Sequence, residues 1–150
     1  MPASQWTFYN SARKHMMDGT IDLDSANFAM ALYTSGSNAA TVTLSTKGSV
    51  TSEVLEANGY SSSGKPLTAV TWAAGASARE MRWNAAAIQW LASNGDIADV
   101  KYAVIWMLGA TAGDRKLVCY TQLSTSQFTV TSGNSLTVTP SANGIFELNG

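Results

Sequence analysis

The 150-residue chain carries nine Lys and Arg, ten Asp and Glu and one His, a net charge of −1, and only 13% of its residues are charged where about 25% is usual. That balance lacks the basic footprint of a nucleic-acid binder. No apolar run approaches the roughly 18–20 residues of a membrane span, and a lone cysteine, Cys119, excludes an intrachain disulfide framework.

The length suits one domain, residues 1–150 with a short N-terminal arm over 1–7, and the 45% apolar content is enough for a real core. The start, Met1 to Trp6, has no positive region followed by an apolar one, so no secretory signal is expected and synthesis falls in a reducing cytoplasm. Ser, Thr, Ala, Asn and Gly take the place of the missing charge. Such a surface suits contact with other protein, because interface cores are depleted in charge. A small extracellular β-domain with a Ser/Thr-rich skin has the same composition.

Phe8 to Asp18 reads as a helix. Phe8, Ala12 and Met16 recur at four-residue spacing, and Asn10 or Thr7 stands where a cap is needed. Lys14 and His15 suit the negative end of the helix dipole, and Gly19 is placed to end the helix in the left-handed conformation. The period then changes. Phe28, Met30 and Leu32 alternate with Ala29, Ala31 and Tyr33 as a strand buried on one face or nearly both. Thr41 to Ser45 alternates again with branched residues that favour a pleat. Ser49 to Glu56 is expected to form a short helical turn, and Asn58 to Gly64 a loop.

Lys65 to Trp72 alternates as a strand, and Arg79 to Trp83 as another with its charges on one face. Ala85 to Leu91 is divided: Ala85, Ala86 and Ala87 favour a helix, whereas Ile88, Gln89 and Trp90 fit a strand. Asp96 to Asp99 reads as a loop. Val100 to Leu108 is apolar on both faces and should be a central strand. A turn at Gly113 and Asp114 leads to its hairpin partner, Leu117 to Tyr120. Phe128 to Val130, Leu136 to Val138 and Ile145 to Leu148 complete eight or nine short strands at roughly 10-residue spacing. One N-terminal helix with so many short strands predicts a mainly β single domain, a β-sandwich or barrel-like fold.

Chemistry is sparse. His15 is the only histidine and has no nucleophile elbow to serve. Cys119 lies between Val118 and Tyr120 inside a predicted strand, where a free thiol packs as a small hydrophobe. Asp18, Asp22 and Asp24 lack the run of oxygen ligands and the closing glutamate of a calcium loop and read as turn formers. No catalytic residue, metal site or cofactor is expected, and the chain does not read as an enzyme. Of the five tryptophans, Trp72 and Trp106 fall in the most apolar strands and read as core. Trp6, Trp83 and Trp90 have polar neighbours and are the candidate partner contacts.

One unit stands out: the helix entry Phe8-Tyr9-Asn10-Ser11-Ala12, the turn Met17 to Asp24, and a strand that ends in Leu32-Tyr33-Thr34-Ser35. With Glu53, Asn58-Gly59-Tyr60, Gly64 to Thr68, Lys101 to Ile105 and Asn143 to Leu148, it resembles, in order across nearly the whole chain, a recurrent type of tailed-bacteriophage protein encoded among virion structural genes. Arg79 to Leu91 departs from that pattern, with Ala85-Ala86-Ala87 in place of a more acidic segment. The resemblance implies a capsid decoration or cement protein that binds and stabilises the assembled head. Its partners would be the major capsid protein and copies of itself, its location the capsid surface of the virion. A tail or adaptor protein of the virion is the alternative within that class. A small host-attachment or carbohydrate-binding module that uses exposed tryptophans is the alternative outside it.

Overall fold

The computed structural model describes residues 5–109, 111 and 114–149. The fold is mainly β. Among the described residues, twelve strands and one α-helix follow in the order β1 (Thr7–Phe8), α1 (Asn10–Met17), β2 (Phe28–Tyr33), β3 (Lys65–Pro66), β4 (Thr71–Ala74), β5 (Glu80–Asn84), β6 (Ile88–Leu91), β7 (Ile97–Val100), β8 (Tyr102–Met107), β9 (Leu117–Gln122), β10 (Phe128–Val130), β11 (Ser135–Val138) and β12 (Phe146–Asn149). All strand pairs are antiparallel. A five-stranded sheet runs β1-β9-β8-β2-β3, a three-stranded sheet runs β12-β5-β4, and two ribbons pair β10 with β7 and β11 with β6. The sheets stay open: the described strands close no barrel, and a sandwich-like arrangement replaces the barrel alternative.

β2 and β8 form the centre. All six residues of β2 are buried, and β8 lies between β9 and β2, as expected of two strands apolar on both faces. Each fully buried Phe28, Met30 or Leu32 side chain contributes about 1.5–3 kcal/mol. The outer edge of β2 is covered by two irregular stretches. Val54 N–H donates to Leu32 O at 3.0 Å, and Leu67 N–H donates to Phe28 O at 2.8 Å.

A polar cluster ties these stretches down. The Tyr60 hydroxyl accepts from Leu32 N–H at 3.0 Å and donates to Glu53 Oε1 at 2.7 Å. Lys47 Nζ pairs with Glu53 Oε2 at 2.8 Å and lies 4.9 Å from the centre of the Trp106 ring. Gly64 closes the cluster: at φ +72°, a Cβ there would lie 2.3 Å from Trp106 Cη2.

Some expectations are corrected. Phe8 belongs to β1, paired with Cys119, so the helix begins at Asn10, and its N-cap position is Tyr9, without a side-chain cap. Trp6 is buried and Thr7 is paired with Tyr120, so the arm is part of the fold from Trp6 onward; its first four residues lie outside the described ones. Thr41 to Ser45 forms turns instead of a strand. Its backbone serves the start of α1: Val42 O accepts Asn10 N–H at 2.9 Å and Leu44 O accepts the Ser11 hydroxyl at 3.2 Å. The helical turn lies earlier than expected, at Lys47–Ser49. Lys65 to Trp72 is two strands broken at Ala69, whose φ is +49°. Ile97–Val100 is a strand, not a loop, with Asp99 at φ +61° as the extra residue of a bulge against β10. The Gly113 half of the predicted hairpin turn lies outside the described residues.

Candidate functional site

The three tryptophans expected to contact a partner all point inward. Trp83 and Trp90 have no exposed surface and no free indole face to offer, and Trp6, 7% exposed, reaches the surface only where it lines the cleft described below. The correction is one of periodicity. In β5, Met81 and Trp83 alternate with Glu80, Arg82 and Asn84, so polar neighbours mark the opposite face of the sheet and not the environment of the ring. Trp83 instead clamps the three-stranded sheet to the turn before β2. Its Nε1–H donates to Leu23 O at 3.1 Å, and its ring meets Phe28 edge-on at 4.9 Å. Trp72, read as core, is the half-buried one, stacked on Phe146 at 6.0 Å.

The chemistry-bearing side chains are accounted for locally. Cys119 is fully buried, and desolvation pushes its thiol well above the usual range. The Asp18 carboxylate accepts from Lys14 Nζ and from Thr20 N–H, interactions that hold its pKa below the usual carboxylate range. Asp22 accepts from the Ser25 hydroxyl at 2.5 Å and from the amides of Asp24 and Ser25 at 3.0 and 3.3 Å, and is likewise held low. These are turn contacts. No group of three or more His, Cys, Asp or Glu is placed to hold a metal among the described residues, and no helix there is long and apolar enough to cross a membrane.

What the surface offers is a groove. A cleft of about 980 Å³ opens between β1, α1 and β12, with Trp6, Phe8, Arg13 and Glu147 among its lining. A smaller extension of about 340 Å³ continues toward Ile21, Asp24, Trp72 and Leu148. Met16, Met17 and Phe146 line both. The helix explains the geometry: Arg13, Met16 and Met17, spaced three and four apart, share one face of α1. Phe8, Phe146 and Trp72 form a continuous aromatic run beneath, with Phe8 and Phe146 ring centres 4.7 Å apart. Two of the few large apolar side chains left in the open stand here, Met17 at 86% exposure and Leu148 at 46%.

The two halves of the groove differ in charge. Glu147 is engaged by Arg82 Nε at 3.3 Å. Arg13, in the larger half, has no carboxylate partner among the described residues, and Asp24, in the smaller half, has no cationic one. The sequence signal for this face is Met16 and Met17. Met16 belongs to the predicted helix stripe and Met17 flanks it, which by itself places both on its buried side.

Compared with known proteins, the chain matches no family model, no curated protein and no solved structure.

Proposed function

We propose that this chain is a bacteriophage virion structural protein, a capsid decoration or cement protein that binds the assembled head through the major capsid protein and stabilises it. The observation that carries the reading is the ordered series of segments, from Phe8-Tyr9-Asn10 to Asn143–Leu148, that resembles such proteins along nearly the whole chain. Two further features support it. The domain is poor in charge, as contact surfaces are. One open feature is a groove lined by Met16, Met17 and Phe146, while its cysteine and most of its carboxylates are engaged in packing and turns.

Stabilisation would be mechanical: many copies, each of modest affinity, act together on one particle. A carbohydrate platform built on Trp83 has no exposed ring to use. The reading is tested by mass spectrometry of particles purified from the phage that carries this gene. The protein is expected among the virion proteins at a fixed ratio to the major capsid protein; its absence would overturn the reading.

A further inference from the structure

We infer that the groove along α1 is the two-fold contact between two copies of this chain. The inference goes beyond the proposed function and does not depend on it. In an isologous contact each residue i that meets j is repaid by j meeting i, so charges on either side of its midpoint attract when they are opposite in sign. The groove has that layout. Met16, Met17 and Phe146 belong to both halves, with Arg13 on one side and Asp24 on the other.

A two-fold axis through Met17 brings Met17 onto its counterpart and sets Arg13 of each copy against Asp24 of the other. The other charges nearby are already engaged: Lys14 holds Asp18, and Arg82 holds Glu80 and Glu147. Asp22 takes hydrogen bonds from Ser25. Asp22 keeps its charge beside Asp24, with no cationic partner among the described residues, so the acidic side of the groove faces Arg13 of the other copy. The apolar middle supplies the driving force, since Met17 is 86% and Leu148 46% exposed in the single chain, and Trp72 and Phe146 extend the patch. A stable contact covers about 800 Å² on each partner, near a tenth of the 7318 Å² of this chain, so the contact has to extend beyond the groove itself.

The test is the oligomeric state of the purified full chain by sedimentation equilibrium, with circular dichroism and thermal melts as folding controls. Wild type is expected to be a dimer. Met17→Glu, Arg13→Asp and Asp24→Arg, all exposed positions, should each fold and weaken the dimer roughly tenfold or more. The double charge swap Arg13→Asp with Asp24→Arg should restore affinity to within a few-fold of wild type, and raised salt should weaken wild type and swap alike. A monomeric or trimeric wild type would overturn the inference. So would a folded Met17→Glu chain that stays dimeric, or a double swap no better than the single substitutions.

Discussion

At Gly64 two separate constraints act on one residue. Its φ of +72° lies where a side chain is strained, and a Cβ would meet Trp106 Cη2 at 2.3 Å and Met30 O at 2.8 Å. Gly133 shares only the first constraint, with φ +88° and nothing within 4 Å. The left-handed conformation costs a non-glycine residue about 1–2 kcal/mol, and overpacking adds about 1–3 kcal/mol. Gly133→Ala should therefore lower stability by about 1–2 kcal/mol and Gly64→Ala by about 3 kcal/mol or more, as read from urea denaturation midpoints. Equal losses would mean that the contact between Gly64 and Trp106 does not constrain the fold.

Tyrosines set a second residue-scale expectation. Tyr9, Tyr33 and Tyr60 are almost wholly buried, and burial pushes all three hydroxyls well above the ordinary value of 10.0, with the charge of Glu53 adding to the effect at Tyr33 and Tyr60. Above that ordinary value the unfolded chain releases protons that the folded chain keeps. The stability these groups contribute is complete below pH 10 and falls as pH rises further, by about 1.4 kcal/mol per pH unit for each tyrosine. Denaturation midpoints followed from neutral to strongly alkaline pH should show this decline, and Tyr60→Phe should make it shallower. A flat profile would contradict the burial of these hydroxyls.

Among the elements, Trp83 joins β5 to the turn before β2, through the bond to Leu23 O and the edge-on contact with Phe28. Trp83→Phe keeps most of the volume but orphans the Leu23 carbonyl, for a loss of about 1–3 kcal/mol. Trp83→Ala also opens a cavity, for about 3–5 kcal/mol. Chemical denaturation of both variants checks the order. If Trp83→Phe matched wild type, the hydrogen bond would carry no part of the coupling.

The same elements explain what the sequence makes legible. β2, β8 and β9 are readable because long alternation and burial on both faces coincide. The end of α1 is readable because Gly19 supplies the positive φ, +78°, that stops a helix. β1, two residues long, is too short for any period to register. β7 is hidden by Asp99, a residue usual in loops that here sits in a bulge. Thr41 to Ser45 has the pattern of a strand, but its carbonyls are taken up by α1, a tertiary choice no local pattern encodes. The groove escapes for a related reason. Met16 and Met17 look like core on a helix, and only the tertiary packing of α1 leaves Met17 in the open.

For the whole molecule, the open sheets bury one shared core and leave an aromatic and methionine groove with Arg13 in one half and Asp22 and Asp24 in the other. In the proposed assembly that face joins copies of the chain, and other surfaces of the resulting oligomer meet the capsid. The most direct measurement is an electron cryomicroscopy reconstruction of the virion proposed to carry the protein. A decoration protein predicts density for this β-domain on the outside of the head, in repeated contact with the major capsid protein. Density for the domain in the tail, or none anywhere on the particle, would contradict that role.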